Sequence, residues 1–100
     1  MDYFTYRDGT MCAEDVPISK IAAEVGTPFY LYSSAALLHH FQLFDSALES
    51  MDHQVFHAMK AASNQAILKL LADAGAGMDV VSGGEYARAR SAGVPGELIV

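Results

Sequence analysis

Residues 56–64 read FHAMKAASN, and residues 77–85 read GMDVVSGGE. The first part is a short apolar run that ends on Lys60. The second is a short apolar run that contains Asp79 and leads into a turn of serine and glycines. Apolar runs of this length, bounded by glycine-rich and polar segments, predict strands. A lysine at the end of a buried strand is costly unless its amine is used, so Lys60 is the first candidate functional residue.

The segments around these two runs predict an alternating order of strands and helices. Strands are predicted over 54–60 and 78–81, helices over 64–74 and 84–92, and a further strand over 96–100. Short connections in such an order are typical of βαβ units and a parallel sheet, and both a barrel and a doubly wound sheet fit it. Because the sequence stops inside the last apolar run, we expect it to be the N-terminal piece of a longer protein.

The N-terminal part has a less regular pattern. Residues 1–16 are expected to be irregular, with a possible short strand near 2–6 and a turn at Asp8 and Gly9. A helix is predicted over 18–25, because glycine follows it at position 26 and proline stops any continuation two residues later.

Two further elements are predicted between residue 26 and residue 56. The aromatic run 29–32 reads FYLY and predicts a strand. A helix capped by Ser33 or Ser34 is predicted to continue to about residue 49, since its apolar residues recur at helical spacing on one face.

Composition and length exclude several classes of protein. One hundred residues make at most one small domain, and 52% hydrophobic residues indicate a globular chain. A net charge of −6 without a cluster of lysine or arginine argues against nucleic acid as a partner. The sequence has no apolar run long enough to span a membrane and no metal-ligand spacing. No signal peptide is expected, because residues 1–6 have no basic stretch followed by an apolar core. Cys12 is the single cysteine, so a cytoplasmic location is expected.

Lys60 is predicted to share one face of its strand with Phe56 and Ala58, because side chains alternate along a strand. In a barrel, the carboxyl end of a strand is where the active site lies. A partly desolvated amine there is a good nucleophile, and a common use is a Schiff base with pyridoxal phosphate. The other interpretation is a lysine whose stem lies along the protein while its amine remains in water.

Asp79 occupies the corresponding place on the following strand, and two neighbouring parallel strands are expected to bring it close to Lys60. A carboxylate there can hold the lysine ammonium, orient a Schiff base or take part in proton transfer. A structural ion pair, or a hydrogen bond to a nearby helix end, is the alternative.

The turn that follows, residues 82–85, reads SGGE. It fits a capping box with Ser82 as N-cap and Glu85 at the third helical position. It also fits a loop whose backbone can approach a ligand, since a helix N-terminus can hold a phosphate. The four histidines are expected to be structural, with His57 on the strand face opposite Lys60.

Taken together, these segments resemble the diaminopimelate decarboxylases, a family of fold-type III pyridoxal-phosphate enzymes. The family carries a YAVKANSN-like strand end and a DVVSGGE-like turn, and the counterparts here are residues 57–64 and 79–85. The stretches 92–95 (AGVP) and 21–32 (IAAEVGTPFYLY) also fit. The resemblance covers most of residues 17–100.

The resemblance implies an (β/α)8 barrel with a β-sandwich domain, in which residues 1–33 contribute to the sandwich and 34–100 supply the first helix and strands of the barrel. It implies decarboxylation of meso-diaminopimelate to L-lysine. Lys60 would be the catalytic residue that binds pyridoxal 5'-phosphate, with Asp79 beside it in the cofactor site. The resemblance further implies that Glu85 helps to shape the wall of the cofactor site. The resemblance also implies a homodimer, and a barrel needs about 250 residues, so this chain alone is expected to be inactive.

Two residues depart from the family pattern. His57 stands where tyrosine is usual, and because it is expected to point away from Lys60 we predict little effect on chemistry. Ala62 stands where asparagine is usual, which removes a polar group near the lysine. Other fold-type III decarboxylases, acting on ornithine, arginine or carboxynorspermidine, stay open as alternatives. So do a non-catalytic barrel that binds the cofactor and a plain α/β domain with Lys60 on its surface.

Overall fold

The structure, a computed structural model, describes residues 2–100 and mixes helices with strands. It divides into two compact units, with the division between Leu37 and Leu38. None of the helices formed by the described residues is long and apolar enough to span a bilayer.

The first unit contains a three-stranded antiparallel sheet in the order β1-β2-β3, formed by Phe4–Arg7, Thr10–Ala13 and Val16–Pro17. Asp8 and Gly9 connect the first two strands with φ angles of 50° and 77°. Two left-handed residues give a tight hairpin turn whose twist matches that of the strands. The predicted turn and first strand are therefore confirmed. The expectation of irregular structure up to residue 16 is wrong, because β2 and β3 also form in this segment and pair in the same sheet.

Helix α1, Ile18–Val25, has the predicted bounds and packs against β2 and β3. Gly26 follows with φ 80°, and its N–H donates to the carbonyl oxygen of Ala22 over 2.9 Å. Glycine adopts this left-handed conformation without the steric cost that a side chain would add, so the helix ends here.

The strand predicted over residues 29–32 is absent from the described structure. Tyr30 is 92% exposed and Tyr32 is 49% exposed, and neither lies in a sheet. A high strand propensity describes residues that suit a pleated, half-buried surface, and no other segment of residues 2–100 pairs with this one. The prediction was wrong because local propensity does not supply a partner strand.

Ser33 caps helix α2, Ser34–Ala47. Its Oγ accepts a hydrogen bond from the N–H of Ala36 over 3.0 Å and donates to the Oε2 atom of Glu14 over 3.0 Å. Ser33 is buried, and these two hydrogen bonds satisfy its hydroxyl both as donor and as acceptor. The helix was predicted to reach residue 49, but residues 48–50 form a turn.

The second unit alternates strands and helices after α2, as predicted. Its elements are β4 (Phe56–Ala58), α3 (Gln65–Asp73), β5 (Gly77–Asp79), α4 (Gly83–Ser91) and a short 3-10 helix (Gly96–Leu98). Strands β4 and β5 are parallel, with Phe56 opposite Gly77 and Ala58 opposite Asp79. The βαβ prediction is confirmed, and both strands are shorter than expected.

The terminal run was predicted as a strand over 96–100, and only its end behaves as one. Ile99 forms a parallel bridge with Met78, and the N–H of Val100 donates to the Met78 carbonyl over 3.0 Å. The preceding three residues form the 3-10 helix, in which Leu98 donates to the Pro95 carbonyl over 3.0 Å. β5 therefore lies between β4 and the end of the chain in a parallel arrangement.

The core of the second unit lies between the parallel strands and their helices. Its largest fully buried side chains are Met59, Leu68, Met78 and Val94. Burying side chains of this size contributes roughly 1.5–3 kcal/mol each. These residues hold the carboxyl ends of β4 and β5 in fixed register, and the candidate site lies at those ends.

Candidate functional site

Lys60 lies in the turn that follows β4, two residues after the strand ends at Ala58. The last main-chain bond between the strands runs from the N–H of Met59 to the carbonyl oxygen of Asp79 over 3.0 Å. The chain then curls, because Ala61 donates to Ala58 and Ala62 donates to Met59, each over 3.1 Å. The prediction that Lys60 shares a strand face with Phe56 and Ala58 is therefore wrong, since the alternation of side chains ends before it.

The side chains of Met59 and Lys60 have opposite environments. Met59 is 1% exposed and anchors the turn in the core, whereas Lys60 is exposed. Within residues 2–100, Lys60 takes part in no ion pair. The amine is therefore free to react with a ligand, and in this chain it is not the desolvated lysine that the sequence suggested.

Asp79 is the last residue of β5 and pairs with Ala58, so it lies at the same carboxyl edge as the lysine turn. It is exposed. The ion pairs of the described residues are Arg7–Asp15, His53–Asp45 and Lys69–Asp73. A structural ion pair between Lys60 and Asp79 is therefore not formed, and both charged groups face outward at one edge.

Residues 82–85 cap helix α4. The Oγ atom of Ser82 accepts a hydrogen bond from the N–H of Glu85 over 3.1 Å, as the capping box predicts. The Oε1 atom of Glu85 accepts from the N–H of Val81 over 2.9 Å, one residue earlier than in the usual box. A Cβ added at Gly83 would meet no atom within 4 Å, so the backbone here is open to approach.

His57 makes a contact that sequence reasoning missed. Its Nε2 atom lies 2.9 Å from the carbonyl oxygen of Ala62, on the far side of the lysine turn. No sequence signal identifies this bond, because it depends on how the chain curls after β4. The histidines at 39 and 40 have ring centroids 5.4 Å apart, and no three metal-ligating residues of the described chain gather into a cluster.

Comparison with known proteins places these features in a family. Residues 34–100 match the pyridoxal binding domain of the pyridoxal-dependent decarboxylases. A diaminopimelate decarboxylase of Pseudomonas fluorescens is 48% identical over 100 residues, covering the whole chain and 24% of that protein.

Two solved structures share this architecture. AQ1208 from Aquifex aeolicus superposes with a TM-score of 0.92 and 41% identity, over 97% of this chain and 24% of that one. A diaminopimelate decarboxylase from M. jannaschii, in complex with L-lysine, gives 0.85 and 32% identity over 98% of this chain and 24% of that one. The chain thus spans about a quarter of the length of the relatives it matches. With two thirds of its residues matched by the pyridoxal binding domain, the chain belongs to the pyridoxal-dependent decarboxylase family.

Proposed function

We propose that the full-length protein decarboxylates meso-2,6-diaminopimelate to L-lysine and CO2, with pyridoxal 5'-phosphate bound to Lys60. One observation carries the proposal: Lys60 presents an exposed amine, with no ion pair to any of residues 2–100, in the turn that follows a parallel strand and inside the segment that matches the pyridoxal binding domain. The relatives named diaminopimelate decarboxylase support the substrate.

The residues present fit the cofactor. Forming a Schiff base requires a primary amine that can reach an aldehyde carbon, and the Lys60 amine is exposed and free of ion pairs within the described chain. Asp79 adds a carboxylate at the end of the neighbouring strand. The exposed glycines at the start of α4 leave main-chain atoms accessible beside this edge.

When bound, pyridoxal phosphate withdraws electrons from the substrate α-carbon, so that the bond to the carboxylate can break. Lys60 would hold the cofactor through its Nζ atom. Whenever it is not bonded to the cofactor, the amine would stay on the anchored turn and could carry a proton at Nζ. The Asp79 carboxylate, at the end of the neighbouring strand, would attract that charged amine and help to hold it near the reacting atoms.

The proposal extends to the architecture of the whole protein. Residues 34–100 would supply the first helix and strands of a (β/α)8 barrel, and residues 1–33 would contribute to a β-sandwich domain. The parallel pairing of β4, β5 and Ile99 supports the barrel, and the antiparallel sheet of residues 4–17 supports the sandwich. A homodimer is also proposed, on the family resemblance, and a cytoplasmic location is proposed from the presence of a single cysteine in the sequence.

The test is lysine release by the full-length protein with pyridoxal phosphate, offered meso-diaminopimelate, ornithine and arginine in parallel. A Lys60→Ala variant is the negative control, and Lys69→Arg is the matched control, since Lys69 pairs with Asp73 on the exposed surface of α3. We expect lysine from meso-diaminopimelate alone, lost in Lys60→Ala and retained in Lys69→Arg.

Other outcomes separate the alternatives. Turnover of ornithine or arginine instead would support the same mechanism and assign the protein to a fold-type III decarboxylase with a different substrate. Cofactor bound at Lys60 with no turnover of any substrate would overturn the decarboxylase proposal in favour of a non-catalytic barrel.

A further inference from the structure

His57 forms a bridge across the turn that carries Lys60. Its Nε2 atom lies 2.9 Å from the carbonyl oxygen of Ala62. A carbonyl oxygen can only accept a hydrogen bond, so Nε2 carries the proton and donates it. The bridge joins the middle residue of β4 to a residue five positions later, and Lys60 lies between the two.

The bridge completes a set of restraints on this turn. Met59 is buried, and its N–H is bonded to Asp79 on the neighbouring strand. Main-chain bonds close the turn from Ala61 to Ala58 and from Ala62 to Met59. These bonds fix the N–H groups of the turn, whereas the His57 side chain fixes the carbonyl of Ala62.

The next peptide group is also held from outside the turn. The Nη1 atom of Arg88, on α4, donates to the carbonyl oxygen of Ser63 over 3.2 Å. The side chain of Gln65 donates in return to the Arg88 carbonyl over 3.1 Å. The exposed Lys60 therefore lies on a short segment whose two ends are both anchored.

We propose that His57 is a positioning residue for Lys60, acting through the Ala62 carbonyl. The inference rests on the proposed binding of pyridoxal phosphate to Lys60. A held turn confines the lysine backbone, so that its amine samples fewer directions and meets the cofactor aldehyde more often in a reactive geometry. This assigns an effect on the lysine to a residue that the sequence placed on the opposite strand face.

The test measures the rate at which the cofactor-free, full-length protein attaches pyridoxal phosphate, followed by the absorbance change of the bound cofactor. His57→Gln keeps an N–H donor at about the position of the histidine Nε2 atom. His57→Asn keeps the amide donor, but its shorter side chain does not reach the Ala62 carbonyl. His57→Phe keeps an aromatic ring and removes the donor. Loss of one such hydrogen bond predicts attachment about five-fold slower in the Asn and Phe variants. The Gln variant should restore a rate near that of the wild type.

Gln54 provides the matched control. Its side chain donates to the carbonyls of Val55 and Gly75, at the opposite end of β4 from the lysine turn. Gln54→Ala should lower the urea midpoint of unfolding and leave the attachment rate unchanged. Amide hydrogen exchange at Ala61 and Ala62 should rise in His57→Asn and His57→Phe, and stay near the wild-type rate in His57→Gln and Gln54→Ala.

The outcomes are distinguishable. If wild type and Lys60→Ala attach the cofactor alike, the proposed function fails before His57 is tested. If wild type reacts through Lys60 and all three His57 variants match its rate, the positioning role is wrong. Equal slowing in the Gln, Asn and Phe variants, or in Gln54→Ala, would also overturn it. The attachment rate would then not depend on whether residue 57 carries a hydrogen-bond donor that reaches Ala62.

Discussion

The main-chain N–H of Met59 donates to the carbonyl oxygen of Asp79 over 3.0 Å, and this is the last bond between β4 and β5 before the chain turns away. It fixes the distance along the sheet at which the lysine turn begins. Because Met59 is also buried, the bond and the core side chain together hold the residue directly before Lys60. The proposed cofactor residues thus depend on the register of one parallel strand pair.

That register predicts a steric requirement at Gly77. A Cβ added there would lie 2.6 Å from two ring carbons of Phe56 and 2.8 Å from the main-chain oxygen of Leu98. We expect Gly77→Ala to lower the free energy of unfolding of the full-length protein by about 1–3 kcal/mol, measured by urea denaturation.

Gly84→Ala is the control for this prediction. The nearest atom to its added Cβ is Ser82 Oγ at 3.9 Å, and alanine is favoured over glycine in a helix. A Gly77→Ala variant as stable as Gly84→Ala would show that β4, β5 and the chain end do not approach as described.

The cap of α4 predicts a second effect on stability. Ser82 accepts the N–H of Glu85, so Ser82→Ala should cost about 1 kcal/mol in urea denaturation. Ser91→Ala, at the exposed far end of the same helix, is the control and should change little. Equal losses from both substitutions would contradict the capping role.

His53 predicts a pH dependence. Its Nδ1 atom lies 2.9 Å from the Met51 carbonyl and its Nε2 atom 2.8 Å from Asp45. The hydrogen bond to the Met51 carbonyl, then that to the Asp45 carboxylate, raise the pKa of His53 above its usual 6.5. Since only the charged ring donates from both nitrogens, the folded state binds the proton more tightly than the unfolded chain does.

The sign of the effect follows from the raised pKa. The stabilisation by His53 is fully present below pH 6.5 and is lost as the pH rises through the folded-state pKa. The stability difference between wild type and His53→Gln should therefore shrink with rising pH. An NMR titration should show a lower pKa for His53 in Asp45→Asn, and an unchanged value would contradict the pairing.

Asp79 predicts an effect on cofactor affinity. If its carboxylate serves the cofactor site, Asp79→Ala should raise the dissociation constant for pyridoxal phosphate about ten-fold, the loss expected for a hydrogen bond to a charged group. Asp79→Asn should lose less. Asp73→Asn is the control, because Asp73 pairs with Lys69 on α3. Unchanged affinity in Asp79→Ala would remove this residue from the site.

Local signals explain how much of the fold was predictable. The helices could be predicted because their apolar spacing and their terminal residues, such as Ser82 before α4 and Gly26 after α1, are local signals. The short strands after Gly9 were missed because they depend on a hairpin whose exposed residues, such as Met11, carry little strand pattern. The strand expected over 29–32 failed for the opposite reason, since its propensity is strong but no segment among residues 2–100 pairs with it.

The same distinction, between local signals and the pairing of distant segments, applies to the candidate site. Lys60 and Asp79 could be selected as candidates because Lys60 ends one apolar run, Asp79 lies within the next, and both belong to recognisable motifs. The exposed position of Lys60 in a turn, and the bond from His57 to Ala62, could not be predicted, because both depend on where the parallel ladder stops. Sequence motifs indicate the candidate residues, and the strand register sets their geometry.

Mapping the site of cofactor attachment shows whether Lys60 binds pyridoxal phosphate. The full-length protein is incubated with pyridoxal phosphate, the Schiff base is reduced with borohydride, and the peptides are mapped by mass spectrometry. We predict a stoichiometric adduct on Lys60, absent from Lys60→Ala, with none on Lys69 or Lys20. An adduct spread over the three lysines, or retained in full by Lys60→Ala, would contradict the account.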